Sequence, residues 1–313
     1  MEIFTSLNDI RINNKTAVAL GTFDGIHLGH KVILEEALHA AGEDDLKTLC
    51  FTFSNHPFNF IMDRDENDPH AIKYIASNEE KTMILKKMGF DYLVNIPFDE
   101  NMMKMRAKAF FRDVLINILN ASFISVGFNY TYGARAEGRA EDLIEEGNRE
   151  GIRVMVHDAV CVDGDVVSST LVRKMILKGE LDRVGDYLGR NYSFRGTVEH
   201  GKKIGSGIGF PTINIIAPRN KVLPPNGVYF SSIELEGRVY KSISNIGVKP
   251  TVGSADKTIE TYIFDFNDET YGKEVIVSFE KFLREEIFFE NKIKLHNQIE
   301  KDCESALKYH NKI

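Results

Sequence analysis

Hydrophobic positions in the first part of the chain follow two alternating patterns. Apolar runs typical of buried strands lie at residues 17–20, 46–53, 90–96, 123–126 and 152–156. Apolar residues spaced three or four apart predict helices from residue 27, over 77–88, over 104–119 and over about 140–149. Ser77 and Glu80 form a capping-box pattern, and Gly89 is the predicted stop of that helix. The alternation from residue 15 to about 185 indicates an open parallel sheet with helices on both faces.

The pattern changes after residue 190, where short strands separated by Gly, Pro and Asn follow one another. We predict strands at 193–199, 212–216, 228–235, 238–246, 259–266 and 274–282. Evenly spaced strands with turn residues between them are typical of a closed or nearly closed antiparallel barrel. A helix predicted at 290–309 ends the chain. We place the boundary near Gly185, which gives two domains, 1–185 and 186–313.

The end of the first strand carries the most distinctive polar sequence, GTFDGIHLGH. His27 and His30 lie three positions apart, on one face of the first turn of the helix that follows. Backbone N–H groups, the positive end of the helix dipole and two imidazoles together suit a polyphosphate. We interpret this stretch as a nucleotide triphosphate site whose turn residues are Gly21, Phe23, Asp24 and Gly25.

Two other interpretations of the histidines stay open from the residues alone. Two His at this spacing could hold a metal ion, which would need a third ligand, and the flanking glycines favour close backbone approach over a rigid ligand set. In a purely structural role, His27 would cap the helix and His30 would pack against its neighbours.

Further polar clusters follow other predicted strands. Ligands of open α/β sheets bind outside the carboxyl ends of the strands, so residues at these positions are candidate contacts. They are His56 in an Asn-His-Pro turn, Asn129 in GFNYTYG, and Ser169, Thr170 and Arg173 in SSTLVR. Ser169 and Thr170 would begin a helix that carries Arg173 on the same face, which predicts a second phosphate-binding corner.

A second candidate site lies in the glycine-rich sequence GKKIGSGIGFPTIN, residues 201–214. Gly205, Gly209 and Pro211 precede a predicted barrel strand, and such a loop can also be a simple flexible turn. Strand periodicity puts Thr212 and Asn214 on one face. A hydroxyl and an amide oxygen side by side suit Mg²⁺ bound together with ATP.

Composition narrows the choice of partners. The chain has 313 residues and a formal net charge of −7, so we expect small-molecule partners and no nucleic acid. Cys50, Cys161 and Cys303 are widely separated, which favours a reducing cytoplasm over a disulfide framework. The first residues lack a secretory pattern, and no apolar run approaches the roughly 18 residues of a membrane span. We therefore expect neither export nor membrane insertion. The sequence does not determine the oligomeric state.

Four motifs of the first part resemble a known family when taken in order. GTFDGIHLGH, TFSNHP, VGFNYTYG and VSSTLVR are similar to the FMN adenylyltransferase module of bacterial bifunctional riboflavin kinase/FAD synthetases. The resemblance implies an α/β nucleotidyltransferase-type domain in which His27 and His30 bind the ATP phosphates, and Ser169, Thr170 and Arg173 hold them from the other side. It also implies that Asn129 lies near the flavin phosphate and ribose, and that His56 is a contact.

The second part is similar to the riboflavin kinase module of the same family, an antiparallel β-barrel with a C-terminal helix. The similar segments are residues 211–214, 245–251, 260–266, 271–273, 283–286, which include Arg284 as a binding position, and 298–302. The resemblance assigns Glu260 the role of general base, because the ribityl hydroxyl of riboflavin is a neutral, poor nucleophile. Without the resemblance, Glu260 would be interpreted as a solvated strand residue. Ser206, Lys249 and Phe288 depart from the family's usual cationic residues.

We therefore expect a bifunctional enzyme that makes FMN from riboflavin and FAD from FMN, using Mg-ATP twice. One alternative is a single-function nucleotidyltransferase whose barrel only senses flavin, a hypothesis motivated by Ser206 and Lys249. Another is a non-catalytic flavin-binding regulator, which the phosphate donors and the base together disfavour.

Overall fold

The structure is a computed structural model that describes residues 1–65, 67–199, 207, 209–248 and 257–311. The chain divides into two compact units, Met1–Ser169 and Thr170–Ile313. Gly185, where the sequence places the boundary, lies within the second unit. A division by compactness and a division by function need not coincide, so the boundary at Gly185 stays a prediction.

The first unit is built on a six-stranded sheet in which every pair of neighbouring strands is parallel, as the alternating pattern predicts. Its strands are β1 (Glu2–Phe4), β2 (Thr16–Leu20), β3 (Lys47–Phe53), β4 (Tyr92–Ile96), β5 (Ala121–Gly127) and, after two short strands, β8 (Arg153–His157). They lie in the order β1-β4-β3-β2-β5-β8. The short strands β6 (Thr131–Tyr132) and β7 (Gly138–Arg139) form one hairpin, and β9 (Cys161–Val162) and β10 (Asp165–Val166) form another.

Of the four helices that the sequence predicts in this unit, three are confirmed, and the structure adds a short helix at Pro57–Ile61 that the sequence did not predict. The helices of the unit are α1 (Leu28–Asp44), α2 (Pro57–Ile61), α3 (Asn78–Met88), α4 (Glu100–Lys104), α5 (Ala107–Ala109) and α6 (Ala140–Glu150). The single helix predicted over 104–119 is wrong. Met105 has extended backbone angles (φ −66°, ψ 123°), so α4 ends there, and α5 continues into a π-helix at Phe110–Ile118. The capping box of Ser77 with Glu80 is confirmed, and so is the end of the helix at Gly89, which has left-handed backbone angles.

The central strand β2 explains why α1 lies close to the sheet. All five of its residues are buried, and their side chains alternate between the two faces of the sheet. Val18 and Leu20 join the larger core on one face. Ala17 and Ala19 belong to the cores that include residues of α1 on the other face. Small side chains there allow the helix to approach the strand, which brings the start of α1 to the carboxyl end of β2.

The second unit contains a six-stranded antiparallel sheet, as predicted for a barrel. Two helices precede it, α7 (Ser169–Lys178), which begins at the last residue of the first unit, and α8 (Leu181–Leu188). Its strands are β11 (Tyr192–Thr197), β12 (Thr212–Ile216), β13 (Gly227–Leu235), β14 (Arg238–Val248), β15 (Lys257–Ile263) and β16 (Glu274–Arg284), in the order β11-β16-β13-β14-β15-β12. A bridge between Glu199, just after β11, and Asn214 of β12 joins the two edges. The last helix is α9 (Lys292–His310).

The barrel interior combines aromatic rings with a cluster of hydroxyl groups. Tyr229, Phe194 and Phe279 are fully buried there. Four buried hydroxyls are linked by hydrogen bonds of 2.8 Å: Ser231 with Ser242, Ser231 with Ser244, and Ser244 with Thr261. On the outer surface, Cys303 and Ala306 of α9 pack against Val228 and Phe230 of β13. Among the described residues, no helix is both long enough and apolar enough to span a bilayer.

Candidate active sites

The loop after β2 is a tight turn held by a buried carboxylate. Phe23, Gly25 and Ile26 all have positive φ angles, 45°, 82° and 41°. The Asp24 side chain accepts hydrogen bonds from the backbone N–H groups of Ile75 at 2.9 Å and Ala76 at 3.4 Å. A Cβ atom at Gly25 would lie 2.7 Å from the Ile75 side chain, so only glycine fits. Phe23 is fully buried in the core, so within this turn Phe23 and Asp24 shape the loop from inside.

The two motif histidines are in direct contact at the start of α1. His27 is the N-cap residue, and its Nδ1 accepts the backbone N–H of His30 at 3.3 Å. The imidazole rings are stacked, with centroids 3.6 Å apart, and the ring of Phe23 meets His30 edge-on at 5.3 Å. His27 therefore caps the helix through one nitrogen, as the structural interpretation proposed, and it still sits where a helix N-terminus favours anions. Within the described ranges, no set of three or more His, Cys, Asp or Glu residues is arranged to hold a metal ion.

Of the other residues predicted for this site, His56, Asn129 and Ser169 lie in the first unit, just after strands of the sheet or beside the turn after β2. His56 follows β3 and caps α2, with its Nδ1 accepting the N–H of Phe58 at 3.2 Å. Asn129 is exposed just after β5. Ser169 donates its hydroxyl to the Asp24 carbonyl at 3.0 Å, which brings the first residue of α7 to the turn after β2. Thr170 and Arg173 follow on α7.

Sequence reasoning missed one residue beneath this site, Lys81 of α3. Its side chain is buried and its ammonium donates to the carbonyl oxygens of Thr22 and Phe53. Burial lowers the pKa of this ammonium, because the charged form is desolvated. The available signal was helical spacing: Lys81 precedes the buried Leu85 by one turn and therefore occupies an inward position of α3.

In the second unit, the proposed ATP residue and the proposed base are cross-strand neighbours. Asn214 of β12 pairs directly with Glu260 of β15, and Thr212 pairs with Tyr262. Side chains of directly opposed residues lie on the same face of a sheet. The Oδ1 atom of Asn214 is buried and has no hydrogen-bond partner among the residues that the structure describes. A buried amide oxygen that lacks a partner fits a hard cation such as Mg²⁺.

Glu260 is exposed and is flanked on its other side by Asn245 of β14. The side-chain amide of Asn245 donates to the Glu286 carboxylate at 3.3 Å, and that of Asn226 donates to the same carboxylate at 3.3 Å. A Cβ atom at Gly247 would lie 2.6 Å from Glu286 Oε1, so this glycine leaves room for the carboxylate. Strand pairing therefore places Asn245, which donates to Glu286, beside Glu260.

Arg284, predicted as a binding residue, is held by a carboxylate in the structure. Its guanidinium donates from Nε to both oxygens of Asp302 at 3.0 Å and from Nη2 to Oδ2 at 2.5 Å. Gln298 donates to the same carboxylate at 2.9 Å. Because Asp302 and Gln298 belong to α9, the pair joins the end of β16 to that helix.

The glycine-rich loop is only partly described. Gly209 has a φ of 88°, in the left-handed region, and Pro211 is exposed directly before β12. Gly205, Ser206 and Lys249 lie outside the described residues.

Comparison with known proteins assigns a family to each part of the chain. Residues 9–171 match the model of FAD synthetase, and residues 188–310 match the model of riboflavin kinase. A protein of Listeria monocytogenes named bifunctional riboflavin kinase/FMN adenylyltransferase is 34% identical over 91% of this chain and 89% of its own length. The chain belongs to this family.

Further members of the bifunctional riboflavin kinase/FMN adenylyltransferase family are similar over nearly the whole chain. The protein of Bacillus subtilis is 33% identical over 94% of this chain and 92% of its own length, and that of Haemophilus influenzae is 31% identical over 99% and 100%. A crystal structure of a protein described as a macrolide-efflux protein, from Streptococcus pneumoniae, has a TM-score of 0.86 and 30% identity over 97% of both chains. Its name denotes a different activity from those of the curated relatives, and its similarity supports the fold.

Proposed function

We infer that this chain carries both activities of its family. It phosphorylates riboflavin to FMN with ATP, and it then transfers the adenylyl group of a second ATP to FMN, giving FAD and pyrophosphate. The observation that carries this conclusion is the succession of the two family models in one chain: the first covers the residues of the first candidate site except Arg173, and the second covers the second candidate site. We assign adenylyl transfer to residues 1–185 and riboflavin phosphorylation to residues 186–313.

For adenylyl transfer, a phosphate oxygen of FMN attacks the α-phosphorus of ATP and pyrophosphate leaves. The attacking oxygen is already an anion, so the reaction needs alignment and charge neutralisation more than a general base. We propose that His27 and His30 donate to the ATP phosphates, supported by their place at the N-terminus of α1. In this proposal Ser169, Thr170 and Arg173 bind the phosphates from α7, while Asn129 and His56 contact FMN or ATP.

For riboflavin phosphorylation, the nucleophile is the terminal ribityl hydroxyl, which must lose a proton as it attacks the γ-phosphorus of ATP and ADP leaves. We propose that the Glu260 carboxylate takes this proton. Thr212 and Asn214 would hold Mg²⁺ together with ATP, and the buried Oδ1 of Asn214, which has no hydrogen-bond partner among the described residues, supports this role. When bound, Mg²⁺ neutralises charge on the phosphate oxygens. Gly205, Gly209 and Pro211 would shape the loop over the nucleotide, and Arg284 would support the flavin side.

We further propose that the partners are small molecules and that the enzyme works in the cytoplasm. A net charge of −7 disfavours binding to nucleic acid. The three cysteines are free thiols, two of them buried, which suits a reducing compartment.

Incubation of the purified protein with riboflavin, ATP and Mg²⁺ tests the proposal, with FMN and FAD followed by chromatography. We expect FMN to appear first and FAD to follow, each with an equivalent of ADP or pyrophosphate. If supplied FMN becomes FAD while riboflavin yields no ADP, the chain is a single-function nucleotidyltransferase with a flavin-binding barrel. Binding of flavin without any turnover of ATP would identify it as a regulator.

A further inference from the structure

Lys81 is buried among oxygen atoms that carry no net charge. Only 4% of the residue is exposed, and its ammonium donates to Phe53 O at 3.0 Å, Thr52 Oγ1 at 3.3 Å and Thr22 O at 3.5 Å. None of these three acceptors is a carboxylate. Burial of an ammonium without a carboxylate partner costs free energy that an apolar side chain at the same position would not cost. A role in packing alone therefore does not account for a lysine here.

The three acceptors lie in the loop after β2 and at the end of β3, next to the two loops of the first candidate site. Thr22 lies in the turn that leads from β2 to His27. Phe53 is the last residue of β3 and leads to His56. The hydroxyl of Thr52 donates to Thr22 O at 2.9 Å, so Thr52 and Lys81 together cross-link the ends of two adjacent parallel strands.

The segment that carries Lys81 holds the same two loops at other points. Ile75 and Ala76 donate backbone N–H groups to Asp24 in the loop after β2. In the loop after β3, the backbone N–H of His56 donates to the Tyr74 hydroxyl at 2.7 Å. The amide of Asn78 donates to Ser54 O in that loop at 2.8 Å. Residues 74–81 therefore form a strap that fixes both histidine-bearing loops, and Lys81 is its last contact.

We propose that Lys81 is a positioning residue for adenylyl transfer. It fixes the loop of His27 and the loop of His56 relative to each other and adds positive charge beneath the polyphosphate. This inference rests on the proposed function of the first unit. Asp24 from the loop after β2 and Cys50 from β3 are the titratable groups that interact electrostatically with Lys81. Burial raises the pKa of the Cys50 thiol to about 12, so this thiol is uncharged at neutral pH. A bound polyanion favours the protonated lysine, because it lowers the cost of the buried charge.

The test compares Lys81→Met with Lys87→Met, an exposed lysine on the same helix. Conversion of FMN to FAD is measured as kcat and KM for ATP, and phosphorylation of riboflavin by the second unit serves as the internal control. We expect Lys81→Met to lower kcat/KM for FAD formation by about 10²-fold, the size of a misalignment of about 1 Å. Riboflavin phosphorylation should stay within about twofold, and Lys87→Met should match the wild type in both reactions.

A second pair of variants keeps the test decisive if Lys81→Met does not fold. Thr52→Val removes the bridging hydroxyl without changing its volume, and Thr52→Ser restores it. We expect the first to lower FAD formation about tenfold and the second to recover most of it. The pH profile adds an independent readout: the fall in kcat/KM at alkaline pH as Lys81 loses its proton should be present in the wild type and absent in Lys81→Met.

Wild-type rates of FAD formation in folded Lys81→Met, or in Thr52→Val, would overturn the inference. It would also be overturned if the fall in kcat/KM at alkaline pH persisted in Lys81→Met. A loss of FAD formation that is fully explained by a smaller amount of folded protein would overturn it as well. Absence of FAD formation in the wild type itself would instead contradict the proposed function.

Discussion

Asn214 and Glu260 face each other across two antiparallel strands, and the amide oxygen of Asn214 is buried without a hydrogen-bond partner among the described residues. Because β12 and β15 are paired along their length, the spacing between these side chains is fixed by the sheet. The side chain proposed to bind the nucleotide and the side chain proposed to take the proton are thus held by the same ladder of backbone hydrogen bonds.

Substitution Asn214→Ala should weaken the binding of Mg-ATP in the second unit, because it removes the buried oxygen. We expect the Mg²⁺ concentration that gives half-maximal FMN formation to rise about tenfold, in keeping with the loss of one coordinating or hydrogen-bonding group. Titration of Mg²⁺ in the riboflavin assay measures this change. An unchanged Mg²⁺ dependence would contradict the assignment, and FMN formation at saturating Mg²⁺ shows that the second unit of the variant is folded.

Substitution Glu260→Gln should remove the proposed base while it keeps the size of the side chain. We expect FMN formation from riboflavin to fall by about 10²-fold or more, because general base catalysis contributes rate factors of that order. FAD formation from supplied FMN should remain near the wild-type rate. Glu234→Gln, an exposed strand glutamate of β13, is the matched control. Retention of most of the FMN formation in Glu260→Gln would refute the assignment.

Substitution His30→Ala should affect the other reaction. His30 stacks on His27 at the start of α1, so its loss would remove a donor from the proposed phosphate site. We expect FAD formation to fall by about 10²-fold, the usual effect of deleting one preorganised donor, with FMN formation nearly intact. His39→Ala, an exposed histidine further along the same helix, should leave both rates unchanged. Equal loss of both reactions in folded His30→Ala protein would argue against two independent sites.

The pair of Arg284 with Asp302 should stabilise the second unit. Asp302 is almost completely buried, so Arg284→Met would leave its carboxylate without the guanidinium. We expect the free energy of unfolding to fall by about 3 kcal/mol. Chemical denaturation measures it, and the double variant Arg284→Met with Asp302→Leu should recover most of the loss. Glu290→Gln, which breaks an exposed pair with Lys294, should change stability by less than about 0.5 kcal/mol.

His157 should make the stability of the first unit depend on pH. Burial lowers its pKa from the ordinary value of 6.5, and its Nε2 lies 3.0 Å from the Ser125 hydroxyl. The unfolded chain therefore binds the proton first, so the contribution of neutral His157 is complete above pH 6.5 and is lost as the pH falls below it. Unfolding measured between about pH 7 and 5 should show this slope, and His157→Gln should flatten it. As a control, His39→Gln at an exposed position should leave the pH dependence unchanged. An unchanged pH dependence in His157→Gln would contradict the assignment.

Much of the fold follows from local patterns in the sequence. Ser77, Glu80 and Gly89 define both ends of α3, and the strand predicted at 212–216 has the observed bounds of β12. Strand β1 was missed, because three residues are too few to show a period, and among the described strands it pairs with β4 alone. The break at Met105 was missed because apolar residues continue at helical spacing on both sides of it.

The candidate sites were partly predictable, because some of their contacts also follow from local patterns in the sequence. The contact of His27 with His30 follows from their spacing in the sequence, and strand periodicity put Thr212 and Asn214 on one face. The pairing of Asn214 with Glu260 depends on strand order, which joins residues 46 positions apart and leaves no local trace. Lys81 was missed because lysine is almost always solvated, and only the three-dimensional structure shows the oxygens that surround its ammonium.

The linked hydroxyls of Ser231, Ser242, Ser244 and Thr261 have a consequence for how the barrel finds its alignment. A register shift of one residue between β13, β14 and β15 would turn these hydroxyls to the opposite face and separate each donor from its acceptor. Apolar side chains tolerate such shifts far better than hydroxyls, because they have no directional bonds to lose. The polar interior of this barrel therefore favours the correct strand register over registers shifted by one residue.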